Sequence, residues 1–309
     1  MRALVATANT ATAVAISEVA EPEPDRNEAL IEVKAISLNR GEVRGLAGAA
    51  AGARPGWDLA GVVARAAADG SGPATGERVV GLVRSGAWAE RVAVPTAQLA
   101  ALPDGVSFAQ AATLPVAALT ALFSLKLGGL LLGKRVLVTG AAGGVGRFAV
   151  QLAALAGASV AGVVGSAERG RGLNELGASS VLIGLDSDEP EYDLILESVG
   201  GASLAAAFAR AAADGLVVSF GDSSREPLQI TANEMRRRPA VKLYGFNLFA
   251  ELQREVGAAS RALAYLAGLV AAGKLDPQIA LEADWREPGP VLSALMERRV
   301  AGKAVLHIS

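Results

Sequence analysis

The stretch Val136-Leu137-Val138-Thr139-Gly140-Ala141-Ala142-Gly143-Gly144-Val145-Gly146 constrains this chain more than any other. An apolar, β-branched run enters a glycine-rich turn, and the turn opens the periodic apolar segment Val145–Leu155. A buried strand that feeds a helix through such a turn is the first half of a βαβ unit. Ala141-x-Gly143-x-x-Gly146 keeps the spacing of the dinucleotide fingerprint, with alanine in the first glycine position. Small residues serve three needs there: a tight turn, close approach of backbone to a pyrophosphate, and packing of helix on strand. Amides of Gly143, Gly144, Val145 and Gly146, with the positive end of the helix dipole, are expected to hold the phosphates.

Downstream, strand and helix patterns alternate. The pattern predicts strands at Ser159–Val164, Val181–Ile183, Leu194–Glu197, Leu216–Phe220 and Val241–Phe246, with helices at Glu168–Leu176 and Leu204–Ala212. Such alternation predicts an α/β domain, a Rossmann-type doubly wound parallel sheet covered by helices on both faces. Ligands of open α/β sheets lie across the carboxyl ends of the strands. Gly165, Ser166, Ser198, Val199, Phe220 and Gly221 are therefore expected beside the same cofactor. An NAD site places Asp or Glu after the second strand to bind the ribose hydroxyls. Here Ser166 stands in that place, followed by Arg169 and Arg171. A hydroxyl and guanidinium groups suit a 2′-phosphate, so NADPH is expected over NADH.

Residues 2–113 read differently. Strands are expected at Leu4–Ala6, Ala13–Ser17, Ala29–Ile36, Asp58–Ala67, Arg78–Leu82 and Ala87–Val94. Turns fall near Asn9, at Glu21-Pro22-Glu23-Pro24-Asp25, at Gly70-Ser71-Gly72-Pro73 and at Thr75-Gly76-Glu77. Few helical periods appear, which suggests a compact, partly open barrel. Ser107–Leu127 reads as helices interrupted at Pro115. After the sheet, a last helix at Ala259–Gly273 and a final strand at Ala304–Ile308 are expected, the strand returning to the first domain. The predicted division is residues 1–113 with 252–309 against residues 114–251. A chain of 309 residues exceeds what one core usually serves.

Composition removes several chemistries. There is no cysteine, and His307 is the sole histidine. Thiolate metal sites, disulfides and cysteine nucleophiles are excluded, a catalytic zinc site is not expected, and His307 is read as a partly buried strand residue. Net charge is −2 and no basic stripe occurs, so nucleic acid is not an expected partner. Arg236-Arg237-Arg238 reads as a solvated patch. Mean hydropathy is +0.37, and Phe148–Ala167 carries no charge and is about the length of a spanning helix. Gln151 and the break at Gly157-Ala158-Ser159 make it a helix followed by a strand. No continuous apolar run opens the chain, so neither a leader nor a membrane partner is expected, and the expected location is cytoplasmic.

These residues together resemble the zinc-free branch of the medium-chain dehydrogenase/reductase superfamily, the quinone oxidoreductase and zeta-crystallin-like group. The likeness is carried by Leu38-Asn39-Arg40, Pro55-Gly56-Trp57-Asp58-Leu59-Ala60-Gly61, Gly76-Glu77-Arg78-Val79 and Ala112-Thr113-Leu114-Pro115. It continues through Leu119-Thr120-Ala121, Gly140 to Gly146, Asn174 to Ala178, Ser198-Val199-Gly200 and Gly302-Lys303-Ala304-Val305-Leu306. The resemblance implies a GroES-like β-rich catalytic domain, a Rossmann domain, NADPH in the cleft between them and a homodimer. The strand Leu243 to Asn247 matches the one that pairs across such a dimer, and Phe246, Asn247 and Lys303 join the implied cofactor contacts.

Departures from the family are informative. The catalytic-zinc ligands of the alcohol dehydrogenases would fall near Asn39, Trp57 and Val116, none of which is a zinc ligand, and the structural-zinc lobe is missing. The tyrosine frequent in quinone oxidoreductases is replaced around Val43 and Leu46, a second tyrosine near Gly184, and Asp222 stands where asparagine is common.

Without a Lewis acid, hydride transfer suits an acceptor that is already electrophilic. A quinone or α,β-unsaturated carbonyl delocalises the charge it receives, so a small apolar acceptor is expected. Orientation, an apolar pocket and one or two hydrogen bonds are then the protein's share. Asn39 is the expected polar contact and Thr120 the expected neighbour of the nicotinamide. Leu46, Trp57, Phe246 and Phe249 are candidate pocket walls, Tyr244 a candidate proton donor, and Asp58 a structural hydrogen-bond acceptor. Two alternatives stand beside this reading: an NADPH-binding sensor or structural protein with little turnover, and an enoyl reductase acting on polyketide-like or acyl-thioester substrates.

Overall fold

The computed structural model describes residues 1–7, 13–185 and 191–309. The turn expected near Asn9 lies outside the described residues. Strands and helices run β1 (Arg2–Ala6), β2 (Val14–Glu18), β3 (Glu28–Leu38), α1 (Arg40–Gly45), β4 (Asp58–Arg65), β5 (Arg78–Leu82), β6 (Arg91–Pro95) and β7 (Leu99–Ala101). They continue with α2 (Phe108–Ala112), α3 (Leu119–Lys126), β8 (Arg135–Thr139), α4 (Gly144–Leu155), β9 (Ser159–Val164), β10 (Ser180–Ile183), β11 (Tyr192–Glu197) and α5 (Gly201–Ala209). The remainder is β12 (Ala211–Ser219), α6 (Ala232–Arg237), β13 (Lys242–Gly245), α7 (Leu248–Gln253), α8 (Ala258–Ala271), β14 (Ile279–Asp284), α9 (Gly289–Met296) and β15 (Lys303–His307). The chain falls into two compact units, Met1–Leu119 with Leu252–Ser309, and Thr120–Glu251.

The first unit is built on a seven-stranded sheet. Its order is β14-β15-β3-β4-β5-β7, with β6 paired to β3, and β1 and β2 form a separate antiparallel hairpin. The late strand β15 lies parallel to β14 and antiparallel to β3. Ile31, Leu4, Trp88 and Trp285 are fully or almost fully buried in the core it encloses.

The second unit holds a six-stranded parallel sheet of order β10-β9-β8-β11-β12-β13. Val136, Leu137 and Val138 of its central strand are completely buried, as a strand covered on both sides requires. From β8 the chain moves to β9 and β10 on one side, then crosses back to β11 on the other. α4 packs on β8 and β9, and α5 on β11 and β12. Because parallel crossovers keep one hand, the change of direction puts these helices on opposite faces. The fold is thus the α/β architecture expected, a GroES-like unit and a Rossmann sheet.

Several local expectations are corrected. Glu168–Leu176 is not a helix: only Glu168–Gly170 makes a tight 3-10 turn, and Gly172 has φ +80°, which ends any helix there. Helix α5 stops at Ala209, since Ala211 already pairs with Tyr192 of β11. Pro115 does not break the helical stretch but sits in a widened π turn, Leu114–Ala118. Residues 87–90 are irregular apart from one bridge between Ala3 and Ala89, so β6 begins at Arg91. α1, β7, α6, α7, β14 and α9 had no counterpart in the pattern. His307 is on a strand, but exposed, and its Nε2 lies 2.6 Å from Glu282 Oε2. Phe148–Ala167 is α4, a turn and β9, and among the described residues no helix is long and apolar enough to cross a membrane.

Candidate functional site

In the second unit, the glycine-rich turn sits at the carboxyl end of β8, next to the point where strand order reverses. Gly140 takes φ +59°, and a Cβ on it would come within 2.5 Å of Ser198 Oγ. A Cβ on Gly146 would lie 2.5 Å from Gly140 O and 2.6 Å from Ala141 Cα, so only glycine lets α4 approach the strand end this closely. Ala141 is fully buried, and its N–H donates to Val163 O at 3.0 Å, tying the turn to β9. Gly143 is the N-cap of α4 and offers no side chain, so the first-turn N–H groups are uncapped by the protein.

Glu197 holds the neighbouring strand end against this turn. Its carboxylate is fully buried at the end of β11 and accepts four hydrogen bonds. Oε1 receives Thr139 Oγ1, Val199 N and Ser203 Oγ, each at 3.0 Å, and Oε2 receives Gly200 N at 3.0 Å. Thr139 completes the link by accepting from Ser198 N, while Ser198 Oγ donates to Thr139 O, both at 3.0 Å. The loops after β11 and β12 are in contact in turn: Ser224 N donates to Val199 O at 2.7 Å, and a Cβ on Gly221 would meet Ser198 O at 2.8 Å. Phe246 is buried and donates its N–H to Ser219 O at 2.8 Å, and Asn247 Oδ1 accepts from Ala250 N at 3.1 Å.

The expected cofactor residues of this unit therefore share one edge. Gly143–Gly146 follow β8, Gly165, Ser166 and Arg169 follow β9, Ser198 and Val199 follow β11, Phe220 and Gly221 follow β12, and Phe246 and Asn247 follow β13. Thr120 is buried in the first turn of α3. Tyr244, the candidate proton donor, hydrogen-bonds Glu251.

Asn39 and Lys303 belong to the first unit, where they form one buried network. Asn39 Nδ2 donates to Asp58 Oδ2 at 2.8 Å and to Glu42 Oε1 at 3.2 Å, and its backbone N–H donates to Glu42 Oε1 at 2.6 Å. Lys303 Nζ donates to Asn39 Oδ1 at 2.7 Å and to Leu38 O at 3.3 Å, and lies 3.6 Å from Asp58 Oδ2. Asp58 Oδ1 accepts from Val116 N at 2.9 Å. The network joins the half-buried Asn39 to the buried Lys303 and Asp58. Burial pushes Glu42 well above the usual carboxylate range, with the nearby Asp58 charge adding to it. Burial also raises Asp58, against the pull of Lys303, and lowers Lys303, against the pull of Asp58 and Glu42. One ammonium thus faces two carboxyls, and of the two Glu42 is the one that burial and the neighbouring Asp58 charge push well above the usual range. Glu42 was missed as a participant, although Asn39-x-x-Glu42 is the spacing of a helix-capping box.

The matches with known proteins fit this geometry. Residues 25–104 match the family model described as an alcohol dehydrogenase GroES-like domain, and residues 177–306 the one described as a zinc-binding dehydrogenase. Erythronolide synthase EryA2 of Saccharopolyspora erythraea is 34% identical over 94% of this chain and 8% of its own length. A chloroplastic quinone-oxidoreductase homolog of Spinacia oleracea is 33% identical over 60% of this chain and 63% of its own. A mycobacterial protein solved in complex with NADPH superposes with a TM-score of 0.88 at 25% identity, covering 99% of this chain and 100% of that one.

The two family models together span most of the chain, and the chain belongs to the medium-chain dehydrogenase/reductase family. The chain spans under two thirds of both curated relatives' lengths. Although one family model carries zinc in its description, the residues of this medium-chain dehydrogenase/reductase do not fit the ion. No cysteine exists, the one histidine faces Glu282, and among the described residues no group of three or more His, Cys, Asp or Glu could hold a metal.

Proposed function

We propose that this chain is an NADPH-dependent oxidoreductase that reduces a quinone or an α,β-unsaturated carbonyl without a metal. The observation that carries the reading is the shared carboxyl edge at the reversal of strand order, where a side-chain-free helix N-terminus and four further strand ends converge. The fit to the coenzyme rests on chain geometry: glycine at 140 and 146 lets the turn close tightly on Ser198 and Ala141, and the first-turn amides of α4 that follow it have no side-chain cap. Amides of Gly144, Val145 and Gly146 would hold the diphosphate, and Ser166 and Arg169 the 2′-phosphate. The similarity to a protein solved with NADPH supports the same choice. When bound, the nicotinamide supplies a hydride to an electrophilic acceptor, and solvent supplies the proton that completes the reduction. The protein's own contribution is placement: Glu197 fixes the Ser198–Gly200 loop, and Phe246 packs beside the end of β12.

A second acceptor class has specific support. The 34% identity to a polyketide synthase over nearly the whole chain favours enoyl thioesters as alternative acceptors. Stopped-flow oxidation of NADPH against a panel of quinones, simple enones and enoyl thioesters tests both readings. Turnover of the first two classes is expected. Tight NADPH binding with no turnover on any acceptor would replace the enzyme with a sensor.

A further inference from the structure

We propose that a cavity in the first unit, walled by α1 and the segment 49–57, takes the carboxylate of a small acidic acceptor, and that Arg54 recognises it. This rests on the oxidoreductase reading for its turnover test but not for its binding test. The cavity has a volume of about 220 Å³, and Leu46, Pro55, Trp57, Glu42, Arg54 and Ser85 are among its walls. That is below the ~300 Å³ at which pockets enclose a drug-sized molecule, so it suits a head group.

Arg54 is the feature that needs explaining. Its Nε is buried, and among the described residues the guanidinium has no hydrogen-bond or ion-pair partner. An arginine that lines a largely apolar cavity with a donor unmet is costly unless an acceptor arrives. Its planar fork matches a carboxylate, and a single guanidinium with no second cation among the named walls suits one negative charge better than a phosphate's two. Glu42 opposes an anion less than an ordinary carboxylate would, because burial and Asp58 raise its hold on the proton. Asp58 does not either, since it is fully buried and spent on Asn39, Val116 and Lys303. Trp57 supplies an apolar wall for the remainder of the ligand. A Cβ on Gly41 would lie 3.0 Å from the Trp57 ring, so glycine there lets the indole lie close against α1.

The test uses a matched pair of probes, acetylacrylate, an enone bearing a carboxylate, and its methyl ester, with NADPH as reductant. For the wild type, kcat/KM should favour the acid over the ester by about tenfold or more. Arg54→Ala should abolish that preference, and Arg54→Lys, which keeps the charge but loses the fork, should retain part of it. Circular dichroism confirms that each variant is folded, and either variant suffices if the other is not. A preference that survives in the folded variants, or is absent from the wild type, overturns the proposal and leaves the oxidoreductase reading intact. If neither probe is reduced, binding decides. Trp88 and Trp285 are 0% exposed, so quenching of tryptophan emission by acetylacrylate reports Trp57, with Trp57→Phe as its control. Saturable quenching weakened at least tenfold in Arg54→Ala supports the carboxylate site, and quenching that does not depend on Arg54 overturns it, while the oxidoreductase reading stands or falls on the acceptor panel.

Discussion

Replacing Glu197 with glutamine changes one oxygen of a buried carboxylate into an amide and nothing else in shape. The remaining oxygen can keep the three donors now on Oε1, from Thr139, Val199 and Ser203. The amide nitrogen then faces the Gly200 N–H, so a donor meets a donor where a bond of 3.0 Å existed. Loss of one charge-assisted bond costs about 1.5–3 kcal/mol, and three bonds weakened to neutral strength add about 0.5 kcal/mol each. The sum is about 3–4.5 kcal/mol. Urea denaturation followed by far-UV circular dichroism should show the midpoint falling with the slope unchanged. Because the carboxylate also fixes Ser198 to Gly200 beside the glycine-rich turn, NADPH titration of the folded variant should show affinity at least about tenfold lower. A variant within about 0.5 kcal/mol of the wild type, the usual range of inconsequential substitutions, would refute the view that Glu197 ties the strand ends together.

Three further outcomes are expected. Gly146→Ala places a methyl 2.5 Å from Gly140 O, so the turn must shift and NADPH affinity by fluorescence titration should fall at least about tenfold, while an unchanged affinity would count against the diphosphate seat. Ser166→Asp should repel a 2′-phosphate and accept a ribose hydroxyl, lowering the NADPH-to-NADH ratio of kcat/KM, and a ratio left as it was would remove Ser166 from the coenzyme site. Glu42, whose folded form holds its proton above the ordinary carboxylate range, binds more protons folded than unfolded, so its contribution is present in acid and is lost as pH rises through the folded value. Urea stability of Glu42→Gln relative to the wild type should therefore improve from pH 5 to pH 8, and a constant difference would show Glu42 ionised throughout.

The Rossmann sheet was readable because its strands are buried on both faces and its glycines sit where the chain must turn. Val136 to Thr139 shows both signals within a few residues. The segment 168–176 misled because its apolar spacing imitates a helix, while Gly170 and Gly172 dictate otherwise. A Cβ on Gly170 would meet Val181 Cγ1 at 2.7 Å, a tertiary fact invisible in the period of the sequence. Short helices such as α1 were hidden among strands, being decided by one capping interaction rather than by several turns of pattern. Asn39 and Lys303 stood out in the sequence but not as partners: 264 residues separate them, and only the pairing of β15 with β3 shows that they bond to each other. Arg54 carried no signal at all, because an arginine in a loop looks the same whether its head is in water or in a wall.

The place of β15 between β14 and β3 sets an order of events during synthesis. Residues 120–251 form a contiguous unit and can close as soon as they leave the ribosome. The first unit must wait, since a central strand of its sheet arrives only with residues 303–307. Until then residues 35–38 of β3, which β6 does not cover, offer an unpaired flank to any neighbouring polypeptide. Crowded translation should therefore expose this chain to misassembly through its earliest-made half, and a nascent chain stalled before residue 303 should be far more protease-sensitive in residues 28–101 than in residues 135–245.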